Sequence, residues 1–177
     1  MLDQYESLSS HYTVKKLTEA DIPDIYAICR GNPIFYDYMH TELTPESIRE
    51  DLTALPKGKK LDDKTFVGFY EGERLIAFLD LIAGYPAGDA AFIGWFMVER
   101  SCQGRGVGTE IISEAAAFLT RRGFRRIRLG YMKGNRQSGS FWMKNQFVPT
   151  GTESGQEFGT VVHMERKLPA ERGCENI

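Results

Sequence analysis

Between Val98 and Thr109 the chain reads Val-Glu-Arg-Ser-Cys-Gln-Gly-Arg-Gly-Val-Gly-Thr, with three glycines at alternate positions. No other segment constrains the fold as much. An apolar, strand-like run ends just before it, and an amphipathic run begins inside it. The first amides of a helix have no partners within the helix and lie at the positive end of its dipole, so such a junction suits an anion. Glycine at 104, 106 and 108 keeps side chains out of the way. Backbone N–H groups from Arg105 to Thr109 can then converge on one guest, with Gln103 and Arg105 as further contacts. The expected guest is the pyrophosphate of a nucleotide-bearing cofactor.

The elements on either side follow from periodicity and punctuation. Tyr12 to Leu17 alternates as a first strand, and Ile22, Ile25, Tyr26, Ile28 and Cys29 recur at helical spacing behind Pro23. Gly31-Asn32-Pro33 closes that helix, and Phe35 to Met39 reads as an aromatic connector. Thr44-Pro45-Glu46 opens a second helix with an N-cap, a proline at the first position and an early acid. Thr65–Tyr70 and Arg74–Ile82 flank Glu71-Gly72-Glu73 as a hairpin, and Ala90–Val98 adds a fourth strand. Val107, Ile111, Ala115, Phe118 and Leu119 then share one face of a helix that ends on Arg121-Arg122-Gly123. Arg126–Met132 is a fifth strand, reached by a right-handed parallel crossover. A short helix at 137–144 and strands at 147–151 and 160–167 complete the pattern. The sum is an α+β fold, a mixed and mostly antiparallel sheet of about seven strands with helices on both faces.

A chain of 177 residues accommodates one domain, with residues 10–168 as its folded core and 169–177 as a polar tail. The first ten residues are expected to fray. A net charge of −2 provides no field for nucleic acid or an anionic membrane. No apolar run approaches the ~20 residues a membrane span needs. Cys29, Cys102 and Cys174 suit neither a disulfide framework nor zinc, and His11, His40 and His163 show no metal spacing. The start lacks a basic, apolar leader, so the expected location is cytoplasmic.

Three cofactors compete for the glycine loop. A phosphate-binding loop of the Walker type needs Lys-Ser/Thr after its last glycine, where this chain has Thr109-Glu110. A dinucleotide fingerprint needs glycine where Thr109 stands and an acid after the next strand, where Met132-Lys133 stands. The third reading is a resemblance. Gln103-Gly104-Arg105-Gly106-Val107-Gly108 matches the Arg/Gln-x-x-Gly-x-Gly/Ala signature of the GNAT superfamily of acyl-CoA-dependent N-acyltransferases. Phe96-Met97-Val98 looks like that family's central strand. Asn135, Ser138, Phe141-Trp142, Lys144 and Phe147 resemble its second signature, Asn-x-x-small-x-x-x-Tyr-x-x-x-Gly-Phe. The resemblance spans roughly residues 10–168.

The resemblance implies acetyl-CoA (coenzyme A) as cofactor and transfer of an acyl group, most simply acetyl, to a primary amine of a small molecule or peptide by direct attack. It implies that the fourth strand splays from the fifth. Backbone groups of Phe96, Met97 and Val98 would then pair with the cofactor's amide arm, which is strand addition with a cofactor as the strand. Gln103, Gly104, Arg105, Gly106, Val107, Gly108 and Thr109 form the pyrophosphate loop, Asn135 holds the arm, and Trp142 stands where the family usually has an acidic tyrosine. An indole N–H supplies no usable acid. Tyr131 either substitutes or packs in the sheet. Arg136, Arg121 and Arg122 are candidates for the cofactor's 3′-phosphate. A neutral amine nucleophile needs a base, and Asp80 and Glu99 are the candidates. Asp80 interrupts an apolar run, which means a paired buried acid or simple alternation onto a wet face. By analogy the first two helices and Phe35–Met39 wall the acceptor pocket, with Tyr36, Tyr38, Asp37 and Glu42 suited to an amine. A non-catalytic acyl-CoA sensor is the rival reading, a dinucleotide-dependent oxidoreductase a distant third, and monomer or homodimer stays open.

Overall fold

The computed structural model describes residues 2–157 and 159–170; the rest of the polar tail, with Cys174, lies outside the described residues. β1 (Thr13–Lys16) is followed by three helices, α1 (Ile22–Arg30), α2 (Pro33–Met39) and α3 (Pro45–Thr53). The meander β2 (Lys64–Glu71), β3 (Arg74–Ala83) and β4 (Ala90–Val98) comes next. Then come α4 (Val107–Arg121), β5 (Arg126–Met132), α5 (Arg136–Lys144), β6 (Val148–Gln156) and β7 (Gly159–Lys167). The strands form one sheet in the order β1-β2-β3-β4-β5-β7-β6, in which only β4 and β5 run parallel.

Strand alternation divides the apolar residues between two cores. Leu79, Leu81 and Ile93 face α4 and α5 and pack with Ile111, Ile112, Ala115, Phe118, Leu119 and Trp142. Phe66, Phe78, Trp95 and Met97 face the opposite side and pack with Ile22, Ile25, Ile28 and Cys29 of α1 and Ile48 of α3. The β3 run is apolar on both faces because helices cover both. That accounts for the setting of Asp80, which lies on the α1–α3 face beneath protein and not on a wet face.

Three expectations change. Phe35–Met39 is helical: Asn32 and Pro33 repeat the N-cap-proline start that Thr44 and Pro45 use for α3. The aromatic content had masked that start. The N-terminal residues are docked, not frayed. Leu2 and Leu8 are buried in the α4-side core, and Ser9, Ser10 and His11 bond to the Glu114 carboxylate on α4. β6 also extends beyond residue 151 to Gln156. Its Thr-Gly-Thr-Glu-Ser-Gly sequence carries no apolar alternation, and pairing with β7 alone defines it.

Candidate active site

β4 and β5 pair only from Ala90–Arg126 to Ile93–Leu129. Beyond that point β4 stays on β3 as far as Val98, while β5 stays on β7 as far as Met132, so the two strands part. The Glu99 N–H donates to Ile76 O at 2.8 Å. Alternation of an antiparallel ladder therefore turns the peptide groups of Met97 toward β3 and those of Phe96 and Val98 toward the gap. Val98 O is already engaged there, accepting from Gln103 Nε2 at 2.9 Å and Asn32 Nδ2 at 3.2 Å. Gln103 also donates to Asn32 Oδ1 at 2.6 Å. Its side chain thus ties the glycine loop to the end of β4 and to the α1–α2 junction.

The gap opens into a cleft of about 570 Å³ lined by Phe96, Met97, Val98, Gln103, Gly104, Gly106, Gly108, Thr109, Asn135, Phe141 and Trp142, among others. Gly106 caps α4 at φ 89° with no side-chain cap, and the first bond into the helix is Glu110 N–H to Gly106 O. The amides of Val107, Gly108 and Thr109 are left without intrahelical partners. Gly104, at φ 71°, turns the loop toward them. Residues with side chains rarely adopt these left-handed values. Arg105 is exposed and does not line the cleft; Arg100 and Lys144 do. Arg122 is drawn away, stacked over Phe118 and bonded to Gln4. Asn135 is 7% exposed and caps α5 by accepting from Ser138 N–H at 3.0 Å, which leaves its amide nitrogen as the donor for a ligand. Trp142 is a wall, packed on Phe96, Phe141 and Phe147. The Tyr131 ring packs into the space that Gly139 leaves.

A second cavity of about 510 Å³ lies on the α2–α3 side and shares Phe35 with the first. Tyr36, Met39, Glu50, Asp51, Lys64, Asp80, Tyr85, Phe92, Gly94 and Trp95 contribute to its lining. Asp80 is 6% exposed. Its Oδ2 accepts from Lys64 Nζ at 2.7 Å, Lys64 also donates to Ala54 O, and Asp80 Oδ1 has no partner. Burial pushes the Asp80 carboxyl up to about 6 against the opposing pull of Lys64. Burial also raises Asp51, with Lys64 opposing. Gly94 makes the arrangement possible. It sits at the bulge where β3–β4 pairing steps from Asp80–Trp95 to Leu81–Ile93, and a Cβ there would lie 2.6 Å from Asp80 Oδ2.

The structure separates the two candidate bases. Glu99 bonds to Ser101 and Cys102 beside Arg74, lines neither cavity, and is held below the usual carboxylate range chiefly by the Ser101 hydroxyl. Of the α2 residues expected at the acceptor, Tyr36 lines the second cavity, whereas the Tyr38 hydroxyl donates to Gly134 O across the cleft mouth. Asp37 and Glu42 line neither cavity. Lys64, Asp51 and Gly94 had no sequence signal, because only the antiparallel register brings Lys64 and Gly94 to Asp80 and only the packing of α3 on the sheet brings Asp51 to the same cavity. Among the described residues there is no cluster of three metal-ligating side chains, and no helix is long and apolar enough to cross a membrane.

An uncapped helix start beside a strand edge left open by its parallel neighbour is the framework of an acyl-CoA-dependent N-acyltransferase. The family model described as "Acetyltransferase (GNAT) family" matches residues 26–147, and the chain belongs to that family. Its cofactor is acetyl-CoA, and its reaction class is transfer of the acyl group to an amine. The unpartnered amides, the open β4 edge at Phe96 and the Asn135 donor fit a pyrophosphate followed by an amide arm. Solved structures share the fold. An acetyltransferase from Thermus thermophilus is 22% identical over 88% of this chain and 96% of its own, with a TM-score of 0.71. The PaiA N-acetyltransferase of Thermoplasma acidophilum, solved with coenzyme A, is 21% identical over 87% and 97%, at 0.63. A spermidine N-acetyltransferase SpeG chimera from Vibrio cholerae and hSSAT is 16% identical over 89% and 97%, at 0.66. Sequence comparison with curated proteins finds no match.

Proposed function

We propose that this enzyme acetylates the primary amine of a small molecule held in the second cavity, with Asp80 as the base. One observation carries the reading: a buried carboxylate, bonded on one oxygen and unpartnered on the other, in a cavity that meets the cofactor cleft at Phe35. Bound acetyl-CoA would supply the activated thioester, its C–S bond exchanged for the amide C–N bond and coenzyme A thiol the leaving group. The protein's part is to orient and to move a proton. Oδ1 of Asp80 accepts the amine proton, directly or through a water, while Lys64 holds Oδ2. A carboxyl at about 6 is ionised near neutral pH yet basic enough to take that proton. The aromatic walls supply apolar contact for the carbon skeleton. Peptide amines are the second reading, favoured by the exposed Ile34 and Met39 near the mouths of the two cavities.

Acetyl-CoA-dependent thiol release across a panel of small amines and peptides tests this. Replacing Asp80→Asn lowers kcat/KM by about 10²–10⁴-fold with acetyl-CoA affinity retained. The double variant Asp80→Asn with Lys64→Met avoids stranding a buried cation and gives the same loss. Acetyl-CoA binding with no release from any amine, or full activity in Asp80→Asn, overturns the proposal.

A further inference from the structure

The acceptor cavity holds two further unsatisfied groups, the Tyr36 hydroxyl and the Trp95 indole N–H. Trp95 is 8% exposed, lines the cavity, and its Nε1–H has no partner. Trp95 is the direct register partner of Asp80 across β3 and β4, so the two side chains leave the same face of the sheet side by side. Asp80 Oδ1 accepts only, so it calls for a donor; an indole N–H donates only, so it calls for an acceptor. The Tyr36 hydroxyl donates and accepts and so suits either partner, while the Asp80–Trp95 pair is complementary to one nitrogen and one oxygen on a single ligand. Glu50, Asp51 and Asp80 stand against Lys64 alone around the cavity. That excess of negative charge disfavours a carboxylate or phosphate and leaves a neutral oxygen.

Resting on the reading of this cavity as the acceptor site, we infer that the substrate is an amino alcohol or amino carbonyl compound. Its nitrogen sits at Asp80, and its uncharged oxygen, a few bonds away, accepts from the Trp95 indole N–H. Trp95 is thus a specificity residue. Its ring stacks on Phe35 in the wall and is backed by Phe78, and its N–H reads the oxygen. An unfunctionalised alkylamine or a polyamine leaves that donor unpaired, and discrimination of this kind acts through a buried polar group.

Matched amines differing by one hydroxyl test this: 2-phenylethylamine against 2-amino-1-phenylethanol, and butylamine against 1-amino-2-butanol, with spermidine alongside. The wild-type enzyme is expected to favour the hydroxylated member in kcat/KM by about 10-fold, and Trp95→Phe to bring that ratio to about 1. A binding readout runs in parallel. In the coenzyme A complex, the indole N–H resonance that disappears in Trp95→Phe shifts downfield with the hydroxylated amine and not with its partner. Amines turned over without an oxygen preference, a preference that survives Trp95→Phe, or spermidine as the best substrate overturn this inference and leave the acceptor site standing. No turnover of any amine by acetyl-CoA-bound enzyme overturns both.

Discussion

Replacing Gly94 by alanine isolates the geometry of Asp80, the proposed base. Gly94 is not among the glycines with positive φ, so alanine adopts its backbone without strain. The added Cβ, however, lies 2.6 Å from Asp80 Oδ2 and 3.3 Å from its Cγ. Restoring an ordinary contact requires the carboxylate to retreat by roughly 0.8 Å, enough to break the 2.7 Å bond to Lys64. Crowding of this kind costs about 1–3 kcal/mol of stability. Loss of Lys64 also removes the influence that pulls the Asp80 carboxyl down, while the new methyl group deepens its burial. Both effects move the carboxyl above its present value of about 6. A base works only when ionised, so activity falls as pH drops through that value. The acidic limb of kcat/KM therefore lies near 6 in the wild type and moves up by about one unit in Gly94→Ala, one unit being the loss of about 1.4 kcal/mol of charge stabilisation. Gly155→Ala, where a Cβ meets nothing within 4 Å, is the control. A Gly94→Ala enzyme with wild-type activity and an unmoved limb would refute the assignment of Asp80.

Three other outcomes follow from separate parts of the molecule. Gly106→Glu puts a carboxylate at the uncapped start of α4 and a side chain at φ 89°; calorimetry should show acetyl-CoA affinity reduced by more than about 100-fold, and retained affinity in a folded variant would contradict the loop's placement. Trp142→Phe keeps an aromatic wall and removes no acid, so kcat changes by less than about 3-fold, and a loss of several orders of magnitude would give the indole a chemical role. Glu114 is raised by burial but carried further down, to about 2, by donors from Ser10, Ser9 and His11. Because its folded value is depressed below the usual 4.5, its stabilisation is present above that pH and is lost between about 4.5 and about 2. The Tm difference between wild type and Glu114→Gln should shrink over that window, and a pH-independent difference would show that the N-terminal segment is held by packing alone.

The cofactor side of the site was legible because its signals are local. Gly104, Gly106 and Gly108 between a strand and a helix declare an uncapped helix start, and Asn135 before Arg136 declares the N-cap beside it. Even there, the directions of individual side chains came only with the fold. Gln103 spends its amide on Val98 O and Asn32, and Arg105 is exposed while Arg100 and Lys144 line the cleft. α2 hid behind its aromatic residues although its Asn32-Pro33 start was written in the same way as Thr44-Pro45.

By itself, then, the sequence determined the order of the strands, the helices other than α2 and the glycine loop at the start of α4, since each depends on residues within a turn or two of one another. Tertiary structure decided the rest. It parted β4 from β5, docked Leu2 and Leu8, and set Asp80 in a cavity while leaving Glu99 outside both. The setting of Asp80 needed the register that brings Lys64 and Gly94 against it and Trp95 beside it, residues 16, 14 and 15 positions away in the chain. The properties of a buried carboxylate depend on which charges and donors surround it, and only the folded sheet brings them together.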